Sequence, residues 1–275
     1  MSIAALFVTH EAAMRLSAFG AVLLLLAALQ WHWPTRGDGR PARRQLTNLT
    51  LALIDSLVLR VFFPMLAVSL AITVESRSDG LLGAVAWPYW LEFTLAVLVF
   101  DLAIYWQHRL LHQIPLLWRL HRVHHSDIAI DVTSGVRFHP LEIAVSMGLK
   151  LGLVWVLAPP PAAVVVFELL LSVGSLITHA DYALSSGLDR RVRWLLVTPS
   201  MHRIHHSTRR DETDSNFSFN LSLWDRVFGS YRADPVWPES VMSVGLLGFR
   251  DAAQQGLIAL LLQPFQKQVG GSSHA

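Results

Sequence analysis

Four apolar runs, each near or beyond the length of a bilayer crossing, restrict this chain more than any other feature. They lie at about 16–31, 51–74, 87–106 and 141–177, the last broken by Pro159-Pro160-Pro161 into a helical hairpin. A helical crossing takes ~20 apolar residues. Hydrocarbon offers no partner to a free backbone N–H or C=O, so runs of this kind cross as helices. The expected fold is therefore all-α, a polytopic helical membrane protein. Composition agrees: 53% of the residues are hydrophobic and 15% charged. Absence of cysteine excludes disulfides, Cys-ligated iron–sulfur clusters and thiolate-ligated haem.

The first run imitates a signal peptide in length. No clear cleavage site follows it, and Gln30-Trp-His-Trp33 reads as an interfacial aromatic belt, so it is taken as a retained span. In the second run Arg60 can snorkel and Pro64 can be tolerated as a kink. A short polar loop at 75–80 precedes the third. In the hairpin, Lys150 lies ten residues before Pro160 and Glu168 eight after it. The two should meet at similar depth, because each is costly alone in an apolar run. Gly148 and Gly152 would let the helices approach closely. An amphipathic helix is expected at 252–262 and a disordered tail at 270–275.

Histidine is the second constraint. Eight of the thirteen fall in three clusters: His108 with His112, His121 with His124 and His125, and His202 with His205 and His206. Residues i, i+3 and i+4 share a helix face. Two clusters have the same HRxHH pattern, with the first and third histidines one turn apart and the middle one offset, an arrangement able to serve two adjacent metals. One zinc site takes about four ligands, so eight imidazoles point to two ions. His179 directly follows the hairpin and is a further candidate ligand. His139 is a candidate for a ligand or for orienting a helix start. Asp101, seven residues before His108 on the same face, is placed to accept from a ligand's second ring nitrogen. His10, His32 and His274 read as interfacial or terminal.

Arginines give the orientation. Arg36, Arg40, Arg43 and Arg44 follow the first span, and the positive-inside rule puts them in the cytoplasm. Alternating the later spans from there brings all three clusters and His179 to the cytoplasmic side. Arg109, Arg119, Arg122, Arg203, Arg209 and Arg210 beside the clusters could dock an acidic redox partner or lipid phosphates, or simply reflect positive-inside bias.

At these residues the chain resembles the fatty acid hydroxylase/sterol desaturase superfamily of membrane di-iron oxygenases. The segments that carry the resemblance are Asp101–His112, His121–His125, Arg137-Phe-His-Pro-Leu-Glu142, His202-Arg-Ile-His-His-Ser207 and a stretch from Asn216 ending Leu-Trp-Asp-Arg-Val-Phe-Gly-Ser-Tyr231. The resemblance implies metal ligands at His108, His112, His121, His124, His125, His179, His202, His205 and His206. It also implies a transmembrane stalk bearing a cytosolic histidine-rich metal-binding cap, two iron ions, and O2-dependent hydroxylation or desaturation of a membrane lipid. Asn216 matches a family asparagine near the metals, although Phe-Ser follows it where Tyr/Phe-Gly is usual. The expected organisation is N-terminal transmembrane helices over 1–90, a catalytic region over 91–231 and a C-terminal segment over 232–275.

Imidazole ligation suits iron, and it suits zinc as well. With no iron–sulfur cysteine, c-type haem motif or dinucleotide loop, an oxygenase of this sequence needs electrons from a separate electron-transfer protein. Nothing points to nucleic acid. Two other classes compete: a metal-handling membrane protein such as a transporter, and a zinc-stabilised membrane protein without redox activity. A transporter should hold its ligands near the bilayer midplane on broken helices, whereas these lie at span ends.

Overall fold

A computed structural model describes residue 6 and residues 8–36, 41–63, 65–75 and 80–267. Arg40, Pro64, the core of the 75–80 loop, His274 and the tail at 270–275 lie outside the described residues. The structure is all-helical, and no strand longer than an isolated bridge occurs among the described residues. Helices α1 (Glu11–His32), α2 (Ala42–Phe62), α3 (Ala67–Val74) and α4 (Tyr89–Gln113) come first. They are followed by α5 (Pro115–His125), α6 (Pro140–Leu157) and α7 (Pro161–His179). Shorter helices complete the cap: α8 (Ser186–Val192), α9 (Pro199–His205), α10 (Arg210–Thr213), α11 (Leu223–Val227) and α12 (Leu257–Leu262).

Among the described residues, five helical segments are long and apolar enough to cross a membrane: α1, Ala42–Val74 (α2 with α3), α4, α6 and α7. The chain is a multi-pass membrane protein. Proline sets many of the boundaries, since at the first helical position it gives up an N–H that would be unpaired anyway. Helices α5, α6, α7 and α9 all begin this way. The α6–α7 hairpin turns where Ala158 adopts a left-handed φ of 45° ahead of the prolines. One apolar core joins α3, α4, α6 and α7, and within it Phe100 stacks on Phe167 at 5.0 Å.

Lys150 and Glu168 do meet across the hairpin, Nζ to Oε1 at 2.8 Å. Arg15 from α1 takes the other carboxylate oxygen, so the charge is held by three helices rather than two. The two glycines play no part in this packing: a Cβ at Gly148 or Gly152 would meet nothing within 4 Å. The 252–262 segment is not one amphipathic helix. A 3-10 turn at Ala252–Gln255 precedes α12, which packs with Leu51 and Val123.

The ends of the spans are stitched to the cap by buried polar groups. Gln30 at the end of α1 accepts from the backbone N–H of Val132 and of Asp181. Arg44 at the start of α2 pairs with Asp127 at 2.6 Å and also with Asp131. Burial pushes Asp127 up, but Arg44 and Arg137 outweigh that and hold it below the usual carboxylate range. Arg137, wholly buried, donates to the Val123 carbonyl, Ser126, Asn48 and Gln255. Arg44, at the end of the basic segment, therefore lies against the histidine-bearing end of the bundle.

Candidate metal centre

The three clusters come from three helices, and His179 from a fourth. His108 and His112 form the last turns of α4, whose apolar body carries them to the cap. His121, His124 and His125 end α5, and His202 and His205 end α9 with His206 just beyond. His179 ends α7. All nine are buried.

These rings sort into two groups: His108, His112, His121, His125 and His205 in one, and His124, His179, His202 and His206 in the other. Within a group one nitrogen of every ring lies within 4.8 Å of the others. The duplicated HRxHH motifs enter with reversed roles. In the first, the i, i+4 pair His121 and His125 joins the five-histidine group and the middle His124 the other. In the second, His202 and His206 join the four-histidine group and the middle His205 the other. The groups adjoin, with the His125 and His206 rings stacked at 4.5 Å.

Each group faces inward with Nε2. The pairs His108–His121, His112–His125, His124–His179, His179–His202, His179–His206 and His202–His206 have Nε2–Nε2 distances of 3.0–3.2 Å. The outward nitrogens decide what those contacts are. Nδ1 of His108 donates to the Phe217 carbonyl, of His205 to the Ser215 carbonyl and of His179 to the Ser175 carbonyl, each at 2.7 Å. Nδ1 of His121 donates to Glu142 Oε1 at 2.7 Å, and that of His124 to the Arg137 carbonyl at 3.3 Å. With the proton on Nδ1, Nε2 presents a bare lone pair. Clustered lone pairs repel unless a cation lies among them. Protons are poor candidates, because burial pushes His121 down to about 3. Burial, reinforced by neighbouring imidazoles, likewise pushes down His124, His125, His202, His205 and His206.

The donor set therefore fits a metal ion in each group. Nitrogens ~2.1 Å from one ion stand ~3.0 Å apart at right angles and ~3.4 Å apart at the tetrahedral angle. The closest Nε2 pairs, at 3.0–3.2 Å, are within reach of one shared ion in each group.

Three residues expected near the metals do something else. Asp101 gives its carboxylate to Asn220 Nδ2 and Trp224 Nε1, both at 2.8 Å, and to the Leu221 N–H, not to a histidine. The same-face spacing was right, but α4 turns that face toward the 220–224 loop at the height of Asp101. His139 caps α6: its Nδ1 accepts from the Leu141 N–H and its Nε2 donates to the Leu261 carbonyl, leaving no nitrogen for a metal. Asn216 spends its amide on the backbone, donating to the Met201 and Arg232 carbonyls and accepting from the Arg232 N–H. Its left-handed φ of 52° is one asparagine tolerates. That turn aims the flanking carbonyls of Ser215 and Phe217 at His205 and His108, so Asn216 works through its neighbours.

Two residues emerge that spacing alone did not single out. Glu142 is the carboxylate that orients a clustered histidine. Asp225 accepts from the N–H of Phe217 and Ser218 and from Ser230, fixing the loop whose carbonyls hold His108 and His205. Both lie inside the family-like segments. Most of the arginines beside the clusters are internal. Arg122 and Arg119 hold the carbonyls of 263–266, burial pushing Arg122 down to about 10. Arg203 is buried against Glu239 and the Ala180 carbonyl. Arg109 donates to Tyr105 and the Phe228 carbonyl. Exposed Arg210 and Asp214 line an open polar cavity of about 390 Å3 that reaches His112.

The profile of the fatty acid hydroxylase family matches residues 93–230, and the chain belongs to that family. It is 30% identical over 184 residues to an ornithine lipid hydroxylase of Rhizobium tropici, covering 66% of this chain and 53% of that protein. It is 29% identical over 218 residues to the alkylglycerol monooxygenase of Xenopus tropicalis, covering 78% and 46%. A Delta(7)-sterol 5(6)-desaturase of Aspergillus fumigatus is 29% identical over 145 residues, covering 52% and 40%. The chain spans about half the length of the first two of these curated relatives. No solved structure matches it.

Proposed function

We propose that this chain is a membrane-bound di-iron oxygenase that hydroxylates or desaturates a lipid, using O2 and electrons from a separate donor protein. The observation that carries the reading is the sorting of nine buried imidazoles into two adjoining groups with Nε2 turned inward. His108, His112, His121, His125 and His205 would hold one iron and His124, His179, His202 and His206 the other. Iron so held supplies the activation of O2 needed to break an unactivated C–H bond.

The chain's own residues would do the rest. Glu142 and the carbonyls of Ser175, Ser215 and Phe217 fix the ring tautomers of His121, His179, His205 and His108, which keeps Nε2 of those four free to ligate. The surrounding burial excludes bulk water. The polar cavity at His112 offers water-soluble participants an approach, and Asp214 Oδ1, 3.4 Å from His112 Nδ1, links the ligand set to that surface. The relatives named above support a lipid as substrate. Residues 91–231 form the catalytic region on this reading. Contact of Arg36 and Arg44 with the cap, together with the positive-inside rule, supports a cytoplasmic position for the histidines.

The test combines metal analysis of the purified protein with lipid analysis of cells with and without the gene. Two equivalents of iron and an oxidised or desaturated lipid that depends on the gene are expected. His124→Ala and His205→Ala should each lose the product while the protein still inserts into the membrane. One equivalent of zinc, or full lipid modification by either variant, refutes the reading.

A further inference from the structure

The histidine centre has two thin walls of opposite chemistry. One is the polar cavity at His112, Arg210 and Asp214. The other is Phe219, whose ring lies 5.2 Å from that of His108. Phe219 is only half-buried although His108 behind it is fully buried, and it packs against the apolar core of the membrane helices.

Two helices independently fix the height of this second wall. Asp101, which binds Asn220 and Trp224, precedes His108 by seven residues of α4. That is about 10 Å along the axis, toward the interior of the span. On α7, Gly174 precedes His179 by five residues, and a Cβ there would lie 2.5 Å from Asn220 Oδ1 and 3.7 Å from the Phe219 carbonyl. The loop from Phe219 to Trp224 is thus pressed against two membrane spans, on the membrane side of the histidines. Leu196 bridges to Leu221 and extends this edge. Trp194, Leu195 and Leu196 on it are 70%, 60% and 47% exposed, and Leu223 is exposed beside them. Arg190 and Arg191, exposed a few residues earlier, can reach headgroup phosphates. An apolar edge at this height, flanked by arginine, is suited to the bilayer rather than to water.

We propose that the alkyl chain of the lipid to be oxidised reaches the histidine centre from within the bilayer, past Phe219, with the edge formed by 194–196 and 219–224 immersed in the membrane. The inference rests on the oxygenase reading for the word substrate, but the route itself is physical and can be read without turnover. An alkyl chain entering by the cavity at His112 would have to cross water and displace the ion-paired Arg210 and Asp214. On the other side the side chain that touches both His108 and the apolar core of the membrane helices is the half-buried ring of Phe219. Phe219 is then a residue that sets how far a chain can advance, and so which carbon is presented.

Because the chain has no cysteine, each introduced thiol is unique. Leu195→Cys, Phe219→Cys and Leu223→Cys would be nitroxide-labelled in the full-length protein reconstituted in phosphatidylcholine vesicles. Collision with O2, which concentrates in lipid, is compared with collision with a water-soluble nickel chelate. Ile72→Cys on a membrane span and Arg210→Cys at the polar cavity give the two references. We expect the three test labels to match the Ile72 label, with an O2-to-nickel ratio severalfold above that at Arg210. Labels at 195 and 223 that match Arg210 overturn the proposal, even if the Phe219 variant does not fold. Phe219→Ala and Phe219→Trp should then shift the oxidised position along the chain at unchanged metal content; an unchanged position in both also overturns it. A wild-type protein that yields no oxidised lipid would sink the oxygenase reading, while the label ratios would still decide the route.

Discussion

Glu142→Gln tests the assignment of histidines to two groups. Glu142 Oε1 accepts from His121 Nδ1 at 2.7 Å, with both side chains buried. Glutamine keeps the volume and an acceptor oxygen but loses the charge. A hydrogen bond to a charged group contributes ~1.5–3 kcal/mol and a neutral one ~1. The substitution should therefore weaken His121 as a ligand by about 0.5–2 kcal/mol. At ~1.4 kcal/mol per factor of ten, that is about 2–30-fold in metal affinity. The loss should fall on the five-histidine group alone, because no ring of the other group bonds to Glu142. The assay is metal content by mass spectrometry after incubation with increasing chelator. Wild type should release two equivalents. Glu142→Gln should release one of them at about 2–30-fold lower chelator and the other at the wild-type concentration. Removing His179 instead should empty the opposite group. If both equivalents shift together in Glu142→Gln, or neither moves, the division into two sites is wrong.

The remaining predictions concern packing and pH. Glu168→Ala should destabilise the detergent-solubilised protein more than Lys150→Ala, by a difference within the ~3–5 kcal/mol cost of breaking a buried pair. Without Glu168, Lys150 loses its partner and Arg15 keeps only Glu11 at 3.5 Å, whereas without Lys150 the Arg15–Glu168 pair remains; thermal unfolding would show the order. For the same reason the exchange Lys150→Glu with Glu168→Lys should restore stability only in part, since Arg15 would then face a lysine. Gly135→Ala should cost stability and metal from the four-histidine group: its Cβ would sit 2.6 Å from the Ser175 carbonyl oxygen, the acceptor that orients His179. Parallel unfolding and metal titrations check both losses. Metal-free protein should lose stability steadily as the pH falls below about 6.5. Unfolded histidines take up protons near 6.5, whereas His121 stays neutral in the fold down to about 3. Protons therefore favour the unfolded state throughout that window, at up to about 1.4 kcal/mol per pH unit per histidine. Unfolding that is flat from pH 7 to 5 would contradict neutral, buried rings.

Apolar runs were enough to specify helices and spans, because hydrocarbon leaves a continuous apolar segment no other way to satisfy its backbone. The prolines at 159–161 were enough to place the hairpin, and depth counted from them was enough to pair Lys150 with Glu168. Helical period put each histidine cluster on one face, and the offset middle histidine of HRxHH left open service to two adjacent metals. What sequence left undecided was every relation between faces of different helices. Which imidazoles share a centre depends on how α4, α5, α7 and α9 are rotated against one another, and only packing fixes that rotation. The spacing of Asp101 from His108 correctly gave a shared face, yet the tertiary fold brought the 220–224 loop to that carboxylate and gave His121 to Glu142 instead. Asn216 could be recognised by its place in a motif, but its left-handed turn, which aims two carbonyls at two histidines, exists only in the folded chain. Periodicity along one helix is a local property of the backbone and can be read from spacing. The partner that a face meets is set by the minimum of the whole packing energy and cannot be read that way.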